Sequence, residues 1–304
     1  MRFLRTVGTI LIVAMLVACG VLFLMRYDAT RVSDKNALAK AQTVSATPIP
    51  EQIPVVTPTP EITPAPTETP VPTFTPEPTL DPDSPAGRAA ALGLPAPPDI
   101  DIDSWEFVLV NGDNSIGQYV PEQLAYLDLT ASATDIQTAY NGNRCPVDIR
   151  IAQPLLDMAL GCKAAGFPVF LSSGYRSYAE QAANFQRVCQ NNGVTDGKDA
   201  NGHYITMPAG CSEHQYALCC DITDIYRPIK NKDIENTATF QWLKEHCAEY
   251  GFIHRFPEGK EDVTGVMYEP FHFRYVGVEA AAYMTENHLC LEEFVSLYRD
   301  GGSV

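Results

Sequence analysis

The sequence predicts an α+β domain in which helices lie before and after the strands of a small sheet. Apolar residues recur at helical spacing over residues 147–165, and Gly166 ends that pattern. Short apolar runs of strand length follow, and they are mostly separated by other segments. These runs cover residues 167–171, 216–223, 252–256 and 271–276. Helical segments on either side of a few separated strands are typical of the α+β class.

The remaining helices are predicted from their end signals and their apolar spacing. Ser177 and Glu180 form a capping box, so that a helix is expected to run from Tyr178 to about Gln190. Three later segments also have the character of helices, and the first of them ends before a glycine. They are residues 239–250, 278–287 and 291–298.

The N-terminal segment, residues 1–26, is predicted to be a membrane anchor or a signal segment. Arg2 and Arg5 precede a charge-free apolar stretch at 7–25, and a bilayer core takes roughly 20 such residues. The positive flank predicts a cytoplasmic N-terminus and an exported body. Alternatively, residues 16–19 resemble a bacterial lipoprotein cleavage box with Cys19 as the lipidated residue. Both interpretations place the body outside the bacterial cytoplasmic membrane.

Residues 27–100 are predicted to form a disordered stalk rich in Pro and Thr. Of the 24 prolines in the chain, 16 lie between Pro48 and Pro98. Because proline lacks a backbone donor and favours extended geometry, such a segment is expected to be a spacer. The folded domain is therefore assigned to residues 101–304.

Charge and cysteine content restrict the partners and the compartment. A net charge of -16 argues against a nucleic-acid partner, which requires a basic face. Eight cysteines follow Cys19, and an even number in an exported domain favours disulfides. Cys189 and Cys211 bracket a polar loop and are the first candidate disulfide pair. Cys247 and Cys290 are the second candidate pair.

Two short polar clusters carry the candidate chemistry. They are Ser212-Glu213-His214 with Asp221, and Glu269-Pro270-Phe271-His272. Catalytic zinc needs three protein ligands, an open position for water and a carboxylate that handles protons without binding the metal. The clusters supply two imidazoles and Asp221 as candidate ligands, with Glu269 as a further carboxylate three residues before the second imidazole. The alternative is that each of these groups is buried and satisfied by hydrogen bonds alone.

Strand geometry predicts that the two clusters meet. If a strand begins at Tyr216, then Cys219 and Asp221 point to one face of the sheet, and His214 in the preceding turn folds over that face. His272 lies on a second strand. The sequence leaves three roles open for Cys219. Its side chain crowds or binds the metal, it forms a disulfide, or it is a plain buried thiol.

Four segments resemble, in the same order, the VanY-type zinc D,D-carboxypeptidases, which remove the terminal D-alanine of peptidoglycan stem peptides. The segments are Ser173-Gly174-Tyr175-Arg176-Ser177, Ser212-Glu213-His214-Gln215 through Asp221-Ile222-Thr223, Tyr250-Gly251-Phe252-Ile253, and residues 269–277. The resemblance covers roughly residues 147–298. It implies a small antiparallel sheet flanked by helices, of the hedgehog/D,D-peptidase type. The chain departs from the usual family pattern at three positions. Ala217 stands where the family has glycine, Cys219 stands where it has alanine, and Phe271 stands where tryptophan is usual.

Carried over by position, the resemblance implies roles for five residues. His214, Asp221 and His272 would be zinc ligands. Glu269 would be the catalytic base. Arg176 would stabilise the developing oxyanion. The expected cofactor is therefore Zn²⁺.

The resemblance also implies that Ser212 holds the terminal carboxylate of the substrate and that Gln181 lines the same pocket. Tyr268, which precedes the predicted base, is expected to line the substrate groove. The predicted partners are peptidoglycan stem peptides ending in D-Ala-D-Ala. Two alternatives stay open: an L,D-carboxypeptidase of the same fold, and a catalytically silent module that binds the wall.

Overall fold

The structure is a computed structural model that describes residues 80–128, 136–138 and 144–299. The predicted membrane segment and most of the predicted stalk lie outside these ranges. Among the helices that the structure describes, none is long and apolar enough to cross a membrane.

The described residues form seven short strands in two sheets. The strands are β1 (Leu124–Asp128), β2 (Gln137–Thr138), β3 (Arg144–Asp148), β4 (Phe170–Ser173), β5 (Cys219–Thr223), β6 (Phe252–His254) and β7 (His272–Tyr275). The larger sheet has the order β2-β4-β5-β7-β6, and β1 pairs separately with β3. Strands β4, β5, β7 and β6 pair antiparallel, while β2 joins β4 in a short parallel contact. The predicted α+β fold with a small antiparallel sheet is confirmed.

Helices cover most of the segments where the sequence predicts them. They are α1 (Pro85–Ala91), α2 (Ile149–Ala164), α3 (Tyr178–Asn192), α4 (Glu213–Tyr216), α5 (Ala238–His246), α6 (Glu261–Thr264), α7 (Val278–Glu286) and α8 (Leu291–Tyr298). The capping box of Ser177 and Glu180 forms as predicted. Helix α3 ends at Asn192, and Gly193 after it closes the last turn with a left-handed φ of 67°.

The side chains of β5 point alternately to the apolar core and to the candidate site. Cys220 and Ile222 belong to the larger apolar core, together with residues of α2 and α5 such as Leu155 and Phe240. Since side chains alternate along a strand, Cys219 and Asp221 point to the opposite face of the sheet. The sheet thus separates an apolar layer from the polar cluster described below.

A second apolar cluster joins the C-terminal helices to the start of the described chain. Ala89 of α1 is fully buried in it, beside residues such as Phe294 of α8. Arg88 Nε donates to the carbonyl of Leu297 at 2.9 Å. Helix α1 lies within the range 27–100 that the sequence assigns to a stalk, so ordered structure begins before residue 101.

The predicted disulfide pairs do not form. All eight cysteines between 145 and 290 are present as free thiols, and each is buried. Cys247 belongs to the larger core, whereas Cys290 caps the N-terminus of α8. The thiols that belong to the larger core are accommodated as small apolar side chains rather than as crosslinks.

Candidate metal centre and active site

A tight turn carries His214 over the sheet. Ser212 precedes the single helical turn of α4, and Ala217 ends it with a φ of 67°, a left-handed conformation that alanine rarely adopts. The predicted strand therefore begins at Cys219 and not at Tyr216. The backbone N–H of Arg176 donates to the carbonyl of His214 at 3.1 Å, which joins this turn to the segment before α3.

The three predicted metal ligands meet on the polar face of the sheet. Asp221 of β5 and His272 of β7 are directly opposite each other in the antiparallel register. His214 Nε2 lies 3.3 Å from Asp221 Oδ2, and His272 Nδ1 lies 3.1 Å from Asp221 Oδ1. The two imidazole centroids are 5.0 Å apart. All three side chains are buried, and their donor atoms are close enough to bind a single ion.

Hydrogen bonds leave the inward nitrogen of each imidazole free for a metal. His214 Nδ1 is 2.7 Å from the carbonyl of Gly174, and His272 Nε2 is 3.1 Å from Glu213 Oε2. Both partners are acceptors, so these nitrogens carry the protons and the opposite nitrogens present lone pairs. Asp221 Oδ1 is buried and accepts no hydrogen bond from the residues described. The donor set therefore fits a divalent ion.

Glu269 occupies the position expected of a base beside the donor set. Its Oε2 lies 3.6 Å from His272 Nδ1, and burial raises the pKa of its carboxyl group. Its backbone is held by β6 and by the residues just after that strand, because its N–H donates to the carbonyl of Phe256 and its carbonyl accepts from His254 Nε2 at 3.0 Å. A carboxyl group with a raised pKa, fixed near the ligands, is suited to proton transfer.

The charged groups of the cluster shift one another's pKa values. Burial raises the pKa of Asp221, but His214 and Lys230 lower it further, to well below its ordinary value. Burial lowers the pKa of His272, yet Cys219 and Asp221 raise it well above the usual range. A divalent ion bound at these atoms would compete with protons for the same imidazole nitrogens.

A buried ion network positions His272, and the sequence interpretation missed it. Glu213 Oε1 accepts hydrogen bonds from Arg255 Nε at 2.8 Å and from Arg274 Nη1 at 2.9 Å. Arg255 also pairs with both carboxylate oxygens of Glu292. Desolvation raises the pKa of Glu213, but the two guanidinium groups and His272 lower it well below its ordinary value. Glu213 is therefore a fixed anion that orients the imidazole.

The predicted substrate residues lie in two different places. Arg176, Ser212 and Gln181 line the same cavity as the metal cluster, which has a volume of about 230 Å³. Arg176 Nε and Gln181 Oε1 are buried without a hydrogen-bond partner among the described residues, so both can receive a ligand. Tyr268 lines a separate cavity instead, where its ring contacts that of His254. The structure does not bring Tyr268 to the metal cluster.

Lys230 also contacts the metal cluster, and the sequence interpretation missed this contact. Its Nζ donates to Asp221 Oδ2 at 2.8 Å, and its side chain is one-third exposed. It reaches the cluster from the loop after β5, which has no helical or strand periodicity to indicate its direction. The ammonium group compensates the carboxylate from the pocket side.

The fold and the donor set together define the class of metallopeptidases with a small antiparallel sheet. Within that class, residues 145–278 match the family VanY, described as D-alanyl-D-alanine carboxypeptidase. The chain belongs to this family, as its resemblance to VanY-type enzymes predicts.

Individual relatives agree with this membership. The D-alanyl-D-alanine carboxypeptidase of Enterococcus faecalis is 34% identical over 204 residues, which are 64% of this chain and 68% of the relative. A putative carboxypeptidase of Bacillus subtilis, YodJ, is 35% identical over 61% of this chain and 65% of its own length. The chain thus spans about two thirds of these relatives. The LdcB LD-carboxypeptidase structure is 31% identical, covers 63% of this chain and 86% of its own, and has a TM-score of 0.54.

Proposed function

We propose that this protein is a zinc-dependent carboxypeptidase that removes the C-terminal D-alanine from peptidoglycan stem peptides ending in D-Ala-D-Ala. One observation carries the proposal: two imidazoles and a carboxylate converge, with Glu269 beside them. A silent wall-binding module has no need for this fourth group, because only turnover requires a proton carrier.

His214, Asp221 and His272 would hold the zinc ion. When bound, zinc supplies a Lewis acid and lowers the pKa of its water to about 7. Glu269 takes one proton from the attacking water and passes it to the nitrogen of the leaving D-alanine, so that the amide bond is replaced by a carboxyl group and an amine. Glu213 keeps the His272 imidazole oriented throughout.

The substrate is held by groups that have unused hydrogen-bonding capacity. The unpartnered Arg176 guanidinium N–H supports a role in stabilising the oxygen that gains negative charge during attack. Ser212 makes no helix-capping hydrogen bond with its side chain, which leaves its hydroxyl available for the terminal carboxylate. Gln181 Nε2 donates to the carbonyl of Met207, and its free Oε1 can accept an N–H group of the peptide.

An L,D-carboxypeptidase is the second candidate, because the similar LdcB structure is described as an LD-carboxypeptidase. Incubation of the zinc-loaded protein with defined penta- and tetrapeptide muropeptides, followed by mass analysis, separates the two. Loss of one alanine from the pentapeptide supports the D,D assignment. Cleavage of the tetrapeptide alone supports the L,D alternative, and no cleavage by zinc-loaded protein supports a wall-binding module.

The proposed location is outside the bacterial cytoplasmic membrane, with the N-terminal segment as a single-pass or lipid anchor. The apolar stretch at 7–25 and the Pro-rich segment after it support the proposal. Fractionation of cells that produce the full chain, with protease treatment of intact protoplasts, tests it. Recovery of intact protein from the soluble cytoplasmic fraction would contradict it.

A further inference from the structure

Cys219 presents a thiol to the metal cluster and not to the core. It precedes Asp221 by two residues on β5, so both side chains project from the same face of the sheet. The side chain is completely buried. Its neighbour Cys220 points the other way and belongs to the larger apolar core. The two adjacent cysteines therefore occupy chemically different environments.

The thiol lies at ligand distance from both imidazoles. One nitrogen of His214, one nitrogen of His272 and Cys219 Sγ all lie within 4.8 Å of one another. Zinc binds nitrogen at about 2.0–2.1 Å and thiolate sulfur at about 2.3 Å, which places two ligand atoms of one tetrahedral ion about 3.5 Å apart. The three atoms are therefore grouped closely enough to close around one ion when it binds.

A second observation also indicates a ligand at this point. Asp221 Oδ1 is buried on the same face, where it lies 3.1 Å from His272 Nδ1 but accepts no hydrogen bond from the described residues. A buried carboxylate oxygen without a hydrogen bond is costly unless a cation or a donor satisfies it. One bound ion between this oxygen, the imidazole nitrogens and the inward-facing thiol accounts for the arrangement.

We propose that Cys219 Sγ is a fourth protein ligand of the metal ion in the resting protein. The other roles of this thiol fit the structure less well. Cys219 forms no disulfide. A thiol buried only for packing is surrounded by apolar groups, whereas this one faces two imidazoles.

Ligation by Cys219 changes the chemistry of the site in a defined way. The thiol binds as thiolate, and its proton is released to solvent when the ion binds. Two nitrogens, one carboxylate oxygen and one sulfur complete a tetrahedral set, which is typical of a closed site. Water then reaches the ion only as a fifth ligand or by displacing the thiolate. Cys219 therefore holds the resting site in a form that is more closed than one with three ligands.

The inference rests on the metal site of the proposed function but not on its substrate. X-ray absorption of the zinc-loaded full chain is the direct test, with Cys219→Ala and Cys220→Ala as matched variants. We expect a sulfur shell at about 2.3 Å in the unaltered protein and in Cys220→Ala, and its loss in Cys219→Ala. We also expect a cobalt-loaded sample to show a thiolate charge-transfer band that disappears in Cys219→Ala.

The outcomes separate this inference from the proposed function. Zinc bound through nitrogen and oxygen alone, with cobalt spectra that are identical for the unaltered protein and Cys219→Ala, would overturn the thiolate ligand and leave the carboxypeptidase intact. A chain that binds no zinc would overturn both. If Cys219→Ala fails to fold, the sulfur shell of the unaltered protein still decides the question, and Cys219→Ser serves as the replacement variant.

Discussion

Each imidazole of the candidate site is oriented by the acceptor at its outer nitrogen. Gly174 and Glu213 provide these acceptors, so the metal-facing nitrogens are fixed before any ion binds. The convergence of the three proposed ligands could be predicted from the two motifs, because each motif is local in sequence. The network behind Glu213 could not, because Arg255 and Arg274 are 42 and 61 residues away from it. No local pattern encodes pairings over such distances.

Replacement of Glu269 by glutamine should abolish turnover without removing the metal. Glutamine has a similar shape but cannot accept the proton of the attacking water, so the turnover number should fall at least about 100-fold. Because Glu269 is not among the proposed ligands, the zinc content should be unchanged. Paired measurements of D-alanine release and bound zinc check this. Near-normal turnover by metal-loaded Glu269→Gln would show that another group is the base.

Replacement of Glu213 by glutamine should weaken both the site and the fold. The variant leaves Arg274 without its buried anion and removes one of the two anions that pair with Arg255, which costs about 3–5 kcal/mol of unfolding free energy. It also releases His272 Nε2, and loss of such an outer partner reduces metal affinity about 10–100-fold. Denaturant unfolding and chelator competition measure the two effects.

The control for that variant is Glu293→Gln. Glu293 pairs with Lys260 at 2.7 Å, but both side chains are more than one quarter exposed, so its loss should cost at most about 1 kcal/mol. Equal destabilisation by the two substitutions would mean that the Glu213 network contributes no more than a surface pair.

At the level of elements, the turn between α4 and β5 explains why one strand boundary was predicted wrongly. The apolar run 216–223 has the composition of a strand, yet residues Glu213–Tyr216 form a helical turn and Ala217 is left-handed. Composition alone does not reveal a positive φ at an alanine. The turn exists because it lifts His214 over the sheet to meet Asp221, so the local departure from the pattern coincides with the site.

Replacement of Ala217 by glycine should be tolerated far better than the same change elsewhere in the core. A left-handed residue with a Cβ costs about 1–2 kcal/mol, and glycine removes that cost. This gain offsets the loss of one buried methyl group, worth about 0.8 kcal/mol, and the greater flexibility of glycine in the unfolded chain. The unfolding free energy should therefore change by less than about 1 kcal/mol.

Ala159 provides the matched control, because it is equally buried but lies within α2. There the change to glycine loses the methyl group and adds a helix-propensity cost of about 1 kcal/mol. Urea titration of both variants should show that Ala159→Gly is the less stable by about 1 kcal/mol or more. The reverse order would mean that Ala217 is not strained.

For the whole molecule, stability should depend on pH through His254 of β6. Burial lowers the pKa of this imidazole from 6.5 to about 4. Between these values the unfolded chain binds a proton that the folded chain does not. The contribution is therefore fully present above about pH 6.5 and is lost as the pH falls towards 4, at up to about 1.4 kcal/mol per pH unit. His254→Gln should reduce the dependence of the unfolding free energy on pH between pH 6.5 and 4. An unchanged pH dependence would contradict the role assigned to His254.

The contacts of the whole molecule also determine where the folded part of the chain begins. The sequence predicts a first folded residue that lies too far along the chain. The Pro-rich composition continues to Pro98, so α1, a helix of seven residues, is hidden within it. The contacts that order this segment come from the other end of the chain. Tyr283 Oη donates to the carbonyl of Pro95 at 2.7 Å, and Tyr298 Oη donates to the carbonyl of Pro98 at 2.6 Å. Only the folded molecule brings these partners together.

A protein that begins at residue 101 should therefore be markedly less stable than one that begins at residue 80. The shorter protein loses the hydrogen bonds from Arg88, Tyr283 and Tyr298, each worth about 1 kcal/mol, together with the burial of Ala89. The expected difference in unfolding free energy is about 3 kcal/mol or more. Urea unfolding of both proteins, at equal zinc content, measures it. The second apolar cluster is formed in part by side chains of α7 and α8 and includes none of the proposed metal ligands, so D-alanine release at low temperature should survive the truncation. Coincident unfolding curves would mean that residues 80–100 are only a tether.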